Sequence, residues 1–172
     1  MSLWTEFLRA LREPEYVHVL LNPLPVYGLA AGLFALLAAA LARSHAAKAL
    51  ALLLIFVAAL TVWPAAHFGE AGYDRVTSMS NGVAQKWLNW HMHLADKLVW
   101  VDTAAAAVAL LALLALWKAP RFQRAALILT ALVALGGLGL GGLVGYAGGK
   151  IRHSEFRSQP PPAWANTAGD AD

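Results

Sequence analysis

Four long apolar stretches constrain this chain more than any other feature. They run from about Asn22 to Ala42, Ala46 to Ala66, Leu94 to Trp117 and Ala125 to Gly148. As a helix, about 20 residues rise ~30 Å, the depth of a bilayer's hydrocarbon layer. In hydrocarbon, a backbone satisfies its own N–H and C=O groups only as a helix or a closed barrel. Composition agrees: 59% of the 172 residues are hydrophobic and 13% are charged, against about 25% charged in soluble domains. The connections Arg43–Lys48 and Lys118–Arg124 are short, which makes successive helices antiparallel neighbours. The predicted fold is all-α: an integral membrane up-down-up-down four-helix bundle over residues 22–157. Residues 1–21 form a lead-in, and residues 158–172, with Pro160, Pro161 and Pro162, form a flexible tail.

Within the lead-in, Trp4, Phe7, Leu8 and Leu11 recur at helical spacing while Glu6, Arg9 and Arg12 take other positions. Residues 2–12 therefore read as an amphipathic helix with Ser2 as N-cap. Such a helix lies in the membrane interface or docks on the bundle or a partner. The mixture of charges does not read as a cleavable signal peptide. Asn22-Pro23-Leu24-Pro25 opens the first span, with Asn22 as the cap and the prolines in the first turn. His18 then sits just outside it. Residues 67–93 read as the long polar connection, carrying Gly69, Gly72, Ser78, Ser80, Asn81 and Gly82.

Charge sets the orientation. Arg43, Lys48, Lys118, Arg121 and Arg124 crowd the two short connections, with no acid among them. The positive-inside rule places loops 43–48 and 118–124 in the cytoplasm. The termini and residues 67–93 then face the periplasm of a bacterial inner membrane. The net charge of +3 offers no case for a nucleic-acid partner. With no cysteine, disulfides, thiolate metal sites, iron–sulfur clusters and C-x-x-C-H haem attachment are excluded.

Histidine remains as the strong nitrogen ligand. His18, His67, His91, His93 and His153 all fall at the periplasmic end of this topology, and His45 at the other. These five are the candidate metal ligands, for haem iron, zinc or copper. Histidines scattered at an interface would give the same distribution. Across the bundle, His18 pairs with His91 or His93, and His67 with His153. His91 and His93 point about 200° apart on a helix; His91 has the less charged neighbours and is taken as inward. Asp102, further along that face, either orients a partner or reaches water at the boundary.

Gly137, Gly141, Gly145 and Gly149 form a stripe on the fourth span. It suits a close helix, a flat macrocycle or a lipid tail. Lys150, Arg152, His153 and Arg157 follow; Lys150 and Arg152 are candidates to hold haem propionates. Glu70, Asp74 and Arg75 are expected to form ion pairs with those cations. No hydrolase triad, P-loop or zinc-protease motif is present, and an enzyme is not expected.

His18 with Pro23 and Pro25, His91, and Gly141-Gly142 appear in an order that resembles bacterial domain-of-unknown-function family 2231. The resemblance covers roughly residues 16–157 and implies four membrane helices. The family has a tyrosine close after its glycines; here Tyr146 is followed by Ala147-Gly148-Gly149-Lys150, a departure. The layout also resembles small b-type cytochromes. Three functions are consistent with these residues. One is a haem b electron-transfer protein served by a periplasmic carrier. Another is an accessory subunit packed on other membrane subunits. The third is a periplasm-facing zinc or copper protein. A transporter is disfavoured, because beyond Asp102 no polar path runs through the four spans.

Overall fold

The computed structural model describes residues 2–166. Helix α1 spans Leu3–Ala10, with the Ser2 side chain accepting a hydrogen bond from the Thr5 backbone N–H; none of its residues is buried. Helices α2 (Pro14–Leu21) and α3 (Pro23–Leu41) follow. Then come α4 (His45–Leu60), α5 (Val62–Ala71) and the short α6 (Tyr73–Ser78). The two longest helices are α7 (Gly82–Lys118) and α8 (Gln123–Arg152). No strand occurs among the described residues.

Four helical segments are long and apolar enough to cross a membrane: Pro14–Leu41, His45–Ala71, Gly82–Lys118 and Pro120–Arg152. No more than 39% of the most apolar window of each is buried inside the bundle. The remaining apolar surface faces outward, where lipid rather than water suits it.

Prolines explain the two breaks. A proline inside a helix lacks the N–H that bonds residue i−4 and its ring presses on that carbonyl. Pro64 does this to Leu60, and the helix breaks at Thr61, between α4 and α5. Pro23 and Pro25 do it to Val19 and Leu21, and α2 is offset from α3 at Asn22. Asn22 stays in helical conformation and makes no side-chain cap, which corrects its reading as the start of the span. His18 thus lies within the helical lead-in.

The polar connection at 67–93, read as helical in parts, is helical over most of its length. Its residues continue α5, form α6 and begin α7, leaving only Gly72 and residues 79–81 between helices. Asn81 caps α7 by accepting from the Ala84 N–H at 2.9 Å. Polarity sets this stretch apart from the apolar spans without separating helix from loop. Of the tail, Ala163–Asn166 form a 3-10 turn on α7, with Ala165 buried; residues 167–172 lie outside the described residues.

The buried faces repeat at threes and fours: Leu29, Gly32, Leu36 and Ala39 on α3; Ala105, Ala109, Ala112 and Leu116 on α7. This is the seam of helices crossing at shallow angles. Small residues let the backbones close up. A Cβ on Gly28 would stand 2.6 Å from Ala58 Cβ, and one on Gly32 2.6 Å from Ile55 Cγ1. These contacts pair α3 with α4 in antiparallel register. On α8 the same logic selects Gly137, which meets Asp102 and Leu29, and Gly141, which meets Val26. Gly145 meets nothing, and Gly149 meets only Phe156. A four-residue repeat drifts about 40° per step on a 3.6-residue helix, so the glycine stripe leaves the contact after two steps.

Gly32→Ala is expected to lower stability by about 1–3 kcal/mol through overpacking against Ile55. Gly136→Ala, whose Cβ would meet nothing within 4 Å, is expected to raise it by up to about 1 kcal/mol. Thermal unfolding in mild detergent reads both, and equal effects would refute the contact assignment.

Candidate functional site

At the end of the bundle carrying α2, α5 and the start of α7, two histidine rings face one another. The ring centres of His18 and His91 are 6.2 Å apart, with planes at 89°. His91 falls on the buried stripe of α7 between Leu88 and Leu94 and is 6% exposed. His18 is half-buried on α2.

Both rings are seated in the same way. His18 Nδ1 lies 2.7 Å from the Ala65 carbonyl oxygen, and His91 Nδ1 lies 2.9 Å from that of Val144. A carbonyl can only accept, so Nδ1 carries a proton in each ring, and in the neutral imidazole Nε2 then holds the lone pair. Four residues after each carbonyl stands a glycine, Gly69 on α5 and Gly148 on α8. A Cβ on Gly69 would be 2.9 Å from His18 Nδ1, and one on Gly148 3.1 Å from His91 Nδ1. Each imidazole thus occupies a notch made by a helix carbonyl and the glycine one turn later. The sequence reading missed Gly69; its signal was a glycine in a helical register opposite a histidine, visible only once α2 and α5 are paired.

The other histidines take separate positions. His67 is exposed on α5 against Phe68. His93 is exposed on α7, its ring centre 4.7 Å from that of Trp164. His153 lies beyond α8, with Nδ1 2.9 Å from Glu155 and its ring stacked on Phe156. The Glu155 carboxyl is held below its ordinary range, first by a backbone hydrogen bond and then by the His153 side chain. At the opposite end, His45 Nε2 donates to the Leu116 carbonyl at 3.0 Å and ties α4 to α7. Among the described residues, no three His, Asp or Glu side chains converge on one point. The expected five-histidine set is therefore two histidines at a shared site and three apart, because the α7 stripe buries His91 and turns His93 outward.

The cations after α8 also depart from expectation. Lys150 is 1% exposed, with Nζ 4.3 Å from the Trp87 ring centre and 4.2 Å from that of Tyr146. An ammonium between two aromatic faces is held by their quadrupoles, so Lys150 does not stand free for a propionate. Arg152 shares a surface cleft with Glu13, Glu15, Arg75 and Met79. Arg75 pairs with Glu13 at 2.5 Å and Glu15 at 3.0 Å, whereas a salt-bridge network joining Glu70, Asp74 and Arg75 to the end of α8 was expected. The acids of the lead-in reach it first because α2 packs along α5.

Asp102 is fully buried, and neither carboxylate oxygen has a hydrogen-bond partner among the described residues. It lies against the backbone of α8 at Gly137. Just outside the bundle, Glu70 and Asp96 line two adjoining clefts, one with His93 and Asp74, the other with His67 and Trp100. These two clefts at the histidine end are thus lined by carboxylates. No protein-family model, curated protein or solved structure matches the chain.

Trp87→Leu and Lys150→Met, combined in a double-mutant cycle, are expected to show a coupling of about 1–2 kcal/mol in thermal unfolding. Strict additivity would mean that the ammonium gains nothing from the ring.

Proposed function

We propose that the chain is an integral membrane electron-transfer protein that holds haem b between His18 and His91. The observation that carries this is the matched seating of the two rings at 6.2 Å. Metal–imidazole bonds of about 2 Å place the centres of two rings sharing one ion roughly 6 Å apart. Fixing Nδ1 on a carbonyl orients the ring and leaves Nε2 to ligate. The number of ligands favours haem over zinc. A structural zinc site takes four protein ligands, and the described residues bring no three together. Haem would bring most of its iron's ligands with it, so His18 and His91 would suffice to hold it.

When bound, the haem supplies a one-electron ferric–ferrous couple. The chain's own residues set its position. Ala65 and Val144 hold the ring tautomers, Gly69 and Gly148 admit the rings, and α2 and α7 bring them to a common end. Lys150 supports Tyr146 and Trp87 rather than the cofactor.

The exposed tryptophans support a membrane frame for this reading. Trp63 donates to Thr103 Oγ1 at 3.0 Å, beside Trp100 on α7. Trp100 and Trp117 are 71% and 60% exposed and stand about 25 Å apart along the helix. That spacing suits the two aromatic belts of a bilayer. His91 then lies about 14 Å beyond the outer belt, toward the periplasm of a bacterial inner membrane, within reach of a periplasmic carrier. The short basic connections lie in the cytoplasm, and the bundle runs up-down-up-down. Helix α1, with Leu3, Trp4 and Leu8 exposed, rests in the outer interface. Kinship with domain-of-unknown-function family 2231 belongs to the same proposal.

Protein purified from haem-replete membranes is expected to show a Soret band. His18→Ala and His91→Ala remove it; His67→Ala and His93→Ala leave it; Gly148→Ala shifts or weakens it. Colourless wild-type protein, or equal bleaching by all four histidine variants, would sink the proposal. Metal analysis of a colourless sample separates a two-imidazole copper site from an empty pair.

A further inference from the structure

At the other end of the bundle, Arg43, Lys48, Arg121 and Arg124 line one cleft of about 660 Å³ between the α3–α4 connection and the start of α8. No acid lines it. Among the described residues, no acid pairs with any of these side chains. Arg121 lies over the Phe122 ring at 4.7 Å, and that is an aromatic contact rather than a counter-ion. Four like charges held together raise one another's cost, and the counter-charge must come from outside the chain.

Arg43 sharpens the case. It has φ 52°, and is the one non-glycine residue of positive φ among the described residues. The chain closes α3 there with Ser44 N–H on the Ala39 carbonyl and Arg43 N–H on that of Ala40. This is the Schellman ending, whose left-handed position glycine fills most easily. The sequence places a long cation there instead. An unfavourable backbone position retained for a particular side chain points to use of that side chain.

Beside the cleft, across the same α3–α4 connection, Ala35, Ala38, Ala42, Ala47, Leu50 and Leu54 line an apolar groove of about 420 Å³. It runs along α3 and α4 into the apolar span. A basic cleft next to an apolar groove, at the level where spans end, matches one chemistry: a phosphate headgroup with attached acyl chains. We propose that this cleft binds an anionic phospholipid of the leaflet facing the short connections, the phosphate on Arg43, Lys48, Arg121 and Arg124 and an acyl chain along the α3–α4 groove. The bound lipid neutralises the cluster and joins the α3–α4 turn to the start of α8.

The test uses the full chain in nanodiscs of phosphatidylcholine, with or without phosphatidylglycerol, and with inorganic phosphate as a separate arm. Phosphatidylglycerol is expected to raise the melting temperature and to remain bound in native mass spectrometry. Phosphatidylcholine and inorganic phosphate should do neither. R121Q/R124Q is expected to weaken lipid retention roughly 10- to 30-fold, because it removes two cations that face the phosphate. R12Q/K97Q, which removes two exposed cations away from the cleft, should leave retention unchanged. Arg43→Gly gives a second readout. It relaxes the backbone, so stability in phosphatidylcholine is held or raised, yet the gain from phosphatidylglycerol shrinks. Equal stabilisation by both lipids, a full effect from inorganic phosphate, or equal weakening by the two double variants would each overturn the proposal.

Discussion

Gly32 has no side chain, and Ile55 occupies the space that one would take. Gly28 stands in the same relation to Ala58, and Gly137 and Gly141 admit Asp102 and Val26. Between lipid-facing helices, water gives little drive for association, so contact depends on how closely backbones approach. Alanine continues the theme in the core, with Ala51, Ala59, Ala105, Ala109 and Ala134 all buried. The large apolar side chains, such as Phe34, Leu37 and Leu111, point outward. Small residues thus carry the close backbone contacts, and Leu29, Leu52 and Ile55 fill the space between them.

The same device builds the site. Gly69 and Gly148 do for two imidazoles what Gly28 and Gly32 do for neighbouring helices. Each exposes a helix backbone to which a ring can hydrogen-bond. The proline breaks then decide where this happens. Pro64 offsets α5 from α4, and Pro23 with Pro25 offsets α2 from α3. The two offset segments pack on each other, and His18 is carried to face His91. Charge separates the ends: acids cluster around the histidine end, and cations without acids crowd the short connections.

Much of the fold was legible. The spans follow from apolar length and the cap at Ser2 from residue type, whereas Asn22, of equally good cap type, makes no cap. The extent of helix was not. Residues 67–93 are polar, and polarity distinguishes water from lipid without distinguishing helix from loop. The site was legible in part. That His91 rather than His93 turns inward followed from its less charged neighbours. Lys150 was misjudged because a cation after a span ordinarily reaches water, and nothing local marks Trp87 and Tyr146 as its cage.

By itself the sequence determined that this chain is helical, that four of its segments are long and apolar enough for a bilayer, and that its two short connections are basic and free of acids. These are properties of single segments, set by composition and period. The tertiary structure decided which histidines meet, which lysine is enclosed, and which glycines carry contacts. Those depend on the angular phase of one helix against another. A repeat of four residues drifts on a helix of 3.6, so Gly137 and Gly141 pack while Gly145 does not, and only the assembled bundle shows where the phase falls.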